Sequence, residues 1–239
     1  MNFKIIMYLI CFGCLTPMVG QTKHLEIEYQ LNLKLIDDSK ESSDFMNRII
    51  NNLKQYEDRL KFILQVDNEY SKFYGKKFME SDINPQLSSQ LKLHSDFSKV
   101  YYQSKKEEVF IINFISNAFS GTVIKDKIID LDWKISKSNR KVILGYDCYM
   151  AETTLEIGRD KYLIKAWFTP ALNFELGPKN LNGLPGLILA FEQNVQQYYE
   201  AIKITELKDH DIIIPEFEFT QTYDEFTDAI IEKYNFADY

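Results

Sequence analysis

The sequence predicts a mostly β protein of the α+β class, with a curved antiparallel sheet or half-open barrel and one or two covering helices. Three observations predict this fold. Apolar and polar residues alternate along much of the chain, turn residues interrupt them about every ten residues, and helical spacing is confined to two segments. Short strands joined by hairpin-like turns are typical of an antiparallel meander and not of alternating strands and helices.

The first strand and the first helix are predicted from periodicity. From residue 25 to residue 35 every odd position is apolar and every even position is polar. The apolar positions are Leu25, Ile27, Tyr29, Leu31, Leu33 and Leu35. A period of two predicts a half-buried strand. Helical spacing follows at Phe45, Met46, Ile49, Ile50 and Leu53, with Asp44 as the expected N-cap.

The remaining elements are predicted in the same way. Residues 60–66 alternate again, whereas residues 71–98 are polar and predict a loop with a short helix. Further strands are predicted at 99–103, 107–115, 119–128, 131–136, 144–157, 161–168, 186–192 and 196–206. The expected turns lie at Ser104-Lys105-Lys106, Ser136-Lys137-Ser138-Asn139 and Gly158-Arg159-Asp160. Thr222 and Glu225 form a capping box that predicts a C-terminal helix.

The N-terminus predicts export. Lys4 precedes an apolar run from Ile5 to Leu15, which is too short for a transmembrane helix of roughly 20 residues and is typical of a signal peptide. Cleavage after Gly20 would leave residues 21–239 as a single domain in the periplasm or outside the cell. Lipid anchoring at Cys14 is not expected, and no later apolar run is long enough for a transmembrane segment.

Composition argues against several classes of function. The formal charge is −7 and no basic stripe is present, so nucleic acid is not an expected partner. His24, His94 and His210 share no metal-ligand spacing, and no motif for a nucleotide or another cofactor is present. No metal site and no catalytic residue is therefore predicted.

The most distinctive segment is Gly183-Leu184-Pro185-Gly186-Leu187-Ile188. A Pro-Gly pair before an apolar run predicts a type II turn, with Gly186 at positive φ, that leads into a buried strand. Related short motifs precede it: Trp133-Lys134-Ile135, Gly145 to Ala151 with Cys148, Ala166 to Pro170 with Trp167, and Gly177-Pro178. In this order they resemble the GLPGLI family, which consists of uncharacterised exported envelope proteins of Bacteroidetes. The resemblance implies no catalytic residue, and the motif is interpreted as structural.

The cysteine and the aromatic residues allow two interpretations each. Cys148 is the one cysteine after the signal peptide, and we interpret it as a buried thiol because no basic residue adjoins it in the sequence. Trp133, Tyr146 and Trp167 are either core residues or candidates for binding a ligand. The sequence favours a non-catalytic binding or carrier protein for a hydrophobic ligand, a peptide or an envelope protein. The alternatives are a hydrolase using Asp or Glu, and a structural protein that pairs through a sheet edge.

Overall fold

Eleven strands form one open antiparallel sheet in the computed structural model, which describes residues 24–35, 41–77, 96–116, 118–157, 160–193, 197–208 and 211–234. The strands are β1 (His24–Leu33), β2 (Lys61–Val66), β3 (Tyr70–Gly75), β4 (Lys99–Ser104), β5 (Val109–Phe114), β6 (Val123–Lys127), β7 (Lys134–Ile143), β8 (Tyr146–Ile157), β9 (Asp160–Thr169), β10 (Leu187–Gln193) and β11 (Gln197–Leu207). Helix α1 spans Glu41–Lys54, and helix α2 spans Tyr223–Tyr234.

Strand β1 lies at the centre of the sheet. The order is β6-β5-β4-β3-β2-β1-β11-β10-β9-β8-β7, so two meanders meet where β1 pairs with β11. Short turns join several neighbouring strands, whereas longer segments join β1 to β2, β3 to β4 and β9 to β10. The predicted alternation of β1 is confirmed, because all its odd positions from Leu25 to Leu33 are buried.

The main core lies on one face of the sheet, here called the inner face. An aromatic cluster occupies its centre, formed by Tyr29, Phe62, Phe73, Phe191 and Tyr199. Ile49, Ile50 and Leu53 of α1 and Phe226 of α2 also belong to this core. None of the described helices is long and apolar enough to cross a membrane.

A second, small core lies on the other face, here called the outer face. Val100, Tyr102, Ile111 and Val123 are buried there beneath Ile214 and Phe217 of the C-terminal segment. This segment then pairs with the edge of β6, where the N–H of Gln221 donates to Val123 O at 3.0 Å. The predicted capping box of α2 follows and is confirmed, since Thr222 N donates to Glu225 Oε2 at 2.7 Å and Glu225 N to Thr222 Oγ1 at 3.2 Å.

Three local predictions are wrong. Residues 70–75 form β3 and not a loop, because inward Ser71 is polar and conceals the alternation. The predicted turn at 136–139 is a register shift within β7, and the chain reverses instead at Leu144 and Gly145, whose φ values of 49° and 83° suit a two-residue hairpin. Helix α1 begins at Glu41, so Asp44 lies within it rather than capping it. The signal peptide, His94, His210 and the turn at Gly158 lie outside the described residues.

Candidate functional site

Strands β10 and β11 separate partway along their length. They pair only from Ala190–Glu200 to Gln193–Gln197, whereas β10 continues beside β9 as far as Leu187 and β11 continues beside β1 as far as Leu207. A register shift in each pairing, at Ile188/Ala190 and at Glu28/Tyr29, accompanies the separation. We call the space between the diverging strands the fork. Among the described residues, the second half of β11 therefore has β1 as a strand neighbour on one side and no strand neighbour on the side of the fork.

A cleft of about 510 Å³ adjoins the fork. Its lining combines β11, the β7–β8 turn, β1 and the segment after β9: Leu25, Leu144, Tyr146, Leu172, Ile202, Lys203, Ile204 and Glu206. Six of these eight residues are apolar or aromatic, and Leu144 and Ile202 are exposed to solvent. This volume lies within the roughly 300–1,000 Å³ that is usual for small-molecule sites, and an apolar lining with few polar groups is typical of them.

Two backbone groups on the β10 side of the fork have hydrogen-bond partners. The Tyr29 hydroxyl donates to Ile188 O at 2.5 Å, and the N–H of Leu187 donates to Leu172 O at 2.8 Å. Among the described residues, residues 201–205 of β11 pair with β1, and no second strand pairs with them on the side of the fork. In an antiparallel strand alternate residues direct their N–H and C=O groups to opposite sides, so this half of β11 presents donors and acceptors towards the fork.

A smaller, polar cleft of about 290 Å³ lies near β7. It is lined by Asp132, Lys134, Glu152, Thr153, Thr154 and Leu163. Glu152 pairs with Lys165 at 3.3 Å, and both side chains are well exposed to solvent. Two carboxylates therefore line a small exposed cleft, which is the arrangement that the hydrolase alternative would require.

A buried polar cluster lies on the inner face, beneath the segment 170–186 that joins β9 to β10, here called the connector. Lys179 Nζ contacts Asp96 Oδ2 at 2.6 Å and Gln193 Oε1 at 2.5 Å. The Tyr101 hydroxyl donates to Asp96 Oδ1 at 2.6 Å, and that of Tyr199 donates to Asp96 Oδ2 at 3.1 Å. The charges of Asp96 and Lys179 therefore compensate each other in a buried site lined by aromatic residues.

Electrostatics keep this pair charged. Burial alone would raise the pKa of Asp96, but the positive charges of Lys179 and Lys99 hold it well below its usual value. Burial lowers the pKa of Lys179, and Asp96 partly opposes that shift. Lys179 has a φ of 56°, a strained value for a residue with a side chain, so the surrounding contacts must hold the connector in place.

Further polar contacts fix the connector on the sheet. Gln103 Nε2 donates to Gly177 O at 2.9 Å, and Trp133 Nε1 donates to Asn182 O at 2.7 Å. Trp133 lies directly before β7 and not within the strand predicted at 131–136, and it both donates a hydrogen bond and packs against the core. The contacts from Gln103, Trp133 and Asp96 thus hold the connector, which leads into the segment Gly183–Ile188, against the sheet.

The predicted turn at Pro185 differs in the structure. Gly186 N donates to Leu184 O at 2.8 Å, whereas Leu187 N donates to Leu172 O, so the hydrogen bond of a type II turn is not formed. Gly186 does have positive φ, at 147°, and a Cβ placed there would lie 2.2 Å from Thr169 O. Glycine is needed because the backbone of β9 approaches closely. The run from Leu187 to Phe191 is buried, as the sequence predicts for a central strand.

The structure separates the other residues that the sequence singled out. Tyr146 lines the cleft at the fork, whereas Trp167 packs against Tyr198, and Lys141 Nζ lies 4.1 Å from the Trp167 ring. Cys148 is a buried free thiol, as predicted, and burial raises its pKa to about 11. His24 Nδ1 lies 3.5 Å from Asp67. In the described ranges no group of three or more His, Cys, Asp or Glu could hold a metal ion.

Sequence reasoning did not identify Asp96, Lys179, Leu172 or Ile202. Asp96 lies within the segment 71–98, interpreted from the sequence as a loop with a short helix, and Lys179 lies among short motifs that carry no charge pattern. Ile202 is in a predicted strand, and its position in the cleft depends on the register shift in β1–β11. No local signal marks such a position.

Comparison with known proteins finds similarity to one family model and to solved structures of low sequence identity. A family model described as "Protein of unknown function (Porph_ging)" matches residues 155–190, from β8 through the connector to β10. No curated protein matches the chain. Two solved structures of PNGF-II, in space groups C2 and P21, are similar at 18% identity over 79% of this chain, with TM-scores of 0.48 and 0.47. The chain spans only 28% and 29% of those two chains.

Proposed function

We propose that this chain is an exported, non-catalytic binding or carrier protein of the GLPGLI family, and that it holds an apolar ligand in the cleft at the fork. The observation that carries the proposal is the lining of that cleft, in which six of the eight residues are apolar or aromatic. Burial of apolar ligand surface there supplies affinity without convergent ionisable groups. A half-open barrel, in which the sheet curves around this side, would shield such a ligand further.

The proposal is tested with an apolar fluorescent probe, 1-anilinonaphthalene-8-sulfonate, and a panel of fatty acids and fatty alcohols. We expect saturable binding and a rise in melting temperature, corresponding to about 2.7 kcal/mol at a ligand concentration of 100 Kd. Ile202→Lys places a charge in the cleft and abolishes binding. Val142→Lys, at another exposed apolar residue, leaves it unchanged. Equal binding of the probe by both variants would show that the cleft is not the ligand-binding site.

The polar cleft near β7 supports a second candidate, a hydrolase that uses Asp132 and Glu152. General acid–base or nucleophilic chemistry by two carboxylates would require both side chains to reach one substrate bond. Turnover of an ester, a glycoside or a peptide that is abolished by Asp132→Asn or Glu152→Gln would establish the enzyme. Unchanged turnover in both variants would exclude this cleft as its active site.

A further inference from the structure

We propose that the ligand of the fork is an extended peptide with an acidic residue, which adds as a strand to the free half of β11. This inference rests on the proposed binding function and names the class of ligand. Residues 201–205 of β11 are the docking edge, and the cleft beside them receives alternate side chains of the peptide.

The backbone favours a peptide over a lipid. Among the described residues, the 201–205 segment pairs with β1 on one side and presents its remaining donors and acceptors to the fork. A fatty acid could fill the cleft but could not satisfy a row of N–H and C=O groups, whereas an extended peptide forms a ladder with them. Five residues of strand span roughly 17 Å, which is enough for a short peptide.

Continuity of the sheet favours the same occupant. From residue 197 to residue 200, β11 pairs with β10 on this side; beyond residue 200 that pairing ends, although β10 stays paired with β9 as far as Leu187. An added strand would extend the pairing that β10 begins. Successive side chains of a strand point to opposite faces, so every second one would enter the cleft against Leu144, Tyr146 and Leu172.

Charge supplies the third argument. Lys203 lines the cleft and is exposed. Its cross-strand neighbour Glu28 is already engaged by Lys61 at 3.1 Å and by Lys76 at 2.6 Å. In the part of the chain that the structure describes, no acidic group forms an ion pair with Lys203. An acidic residue on the peptide would provide that partner and set its register.

The test uses a library of acetylated and amidated heptapeptides in which Val, Ile, Leu or Phe alternates with Thr or Glu. Peptides selected on the protein are measured by fluorescence anisotropy, together with versions that carry Lys in place of Glu and versions that are N-methylated at alternate residues. Hydrogen exchange reports the amides of residues 201–205 with and without the selected peptide. The protein variants are Lys203→Glu and, as a matched control, Lys137→Glu at an exposed site in β7.

We expect Glu-containing peptides to be selected and the amides of residues 201–205 to gain protection. N-methylation should lower affinity by about tenfold or more, since it removes ladder hydrogen bonds. Lys203→Glu should lower affinity for the Glu peptide by about tenfold and restore it for the Lys peptide, because opposite charges replace like ones. Lys137→Glu should change neither affinity.

Two results would overturn the inference. If the apolar probe binds and Ile202→Lys abolishes that binding, but no peptide is selected or N-methylation has no effect, the fork binds a small apolar ligand and the peptide proposal fails alone. If neither the probe nor any peptide binds, the proposed binding function fails as well.

Discussion

Asp96 and Lys179 form a buried ion pair, with 2.6 Å between Asp96 Oδ2 and Lys179 Nζ. Asp96 begins the short 3-10 turn that precedes β4, and Lys179 lies in the middle of the connector, so the pair joins these two segments. The two residues come from distant parts of the sequence and from opposite halves of the sheet. Tyr101 and Tyr199 donate to the same carboxylate. The pair therefore fixes the connector against the inner face.

Breaking this pair should be costly. Asp96→Asn leaves Lys179 as an uncompensated buried charge, so we expect a loss of about 3–5 kcal/mol in the free energy of unfolding. Lys179→Met should cost a similar amount, and the double variant should cost much less than the sum because no buried charge remains. Urea unfolding of the three variants measures the coupling. Additive losses would contradict a paired role.

The same carboxylate should produce a pH dependence. The pKa of Asp96 is lowered in the folded state, so its contribution to stability is complete above the unfolded pKa of about 3.9 and is lost as the pH falls through the folded value. Below about pH 5, the native protein should lose more stability with falling pH than Asp96→Asn does. Asp147→Asn, at an exposed position, is the control and should retain the native slope.

Glycine should be required at position 186 more strongly than at position 183. Both have positive φ, but a Cβ at Gly186 would overlap Thr169 O at 2.2 Å, whereas a Cβ at Gly183 meets nothing within 4 Å. We expect Gly183→Ala to cost about 1–2 kcal/mol from backbone strain alone. Gly186→Ala should cost about 2–5 kcal/mol because strain and overlap add. Thermal melts compare the two, and equal midpoints would show that β9 does not enforce the glycine. The structural role predicted for the motif depends on this result.

Cys148 should react slowly in the native protein. Its thiol is buried and its pKa is raised to about 11, so little thiolate forms at pH 8. We expect labelling by a maleimide or disulfide reagent to be about a hundredfold or more slower than in denaturant, where the thiol regains a pKa of about 8.5. Fast native labelling at pH 8 would mean that β8 opens or that the thiol is activated.

The cleft itself could not be predicted from the sequence. Leu144, Leu172 and Ile202 are ordinary apolar residues in a turn, a connector and a strand. They meet because β10 leaves β11 after Ala190 and Glu200, and because β1 and β11 shift register at Glu28. Such shifts depend on how eleven strands pack together, which no window of sequence contains.

The sequence by itself determined the elements whose cause is local. The period of two in β1 specifies its buried face, and the capping box of α2 needs only Thr222 and Glu225. The tertiary structure alone decided the rest. Ser71 can face inward in β3 because Gln103 Nε2 donates a hydrogen bond to its hydroxyl oxygen at 3.0 Å. This distant partner allows a polar segment to form a strand. Asp96 is buried because Lys179 reaches it from the connector. In each case a polar side chain enters the core only where a distant partner offsets its lost hydration, so the deciding residue lies outside the local sequence.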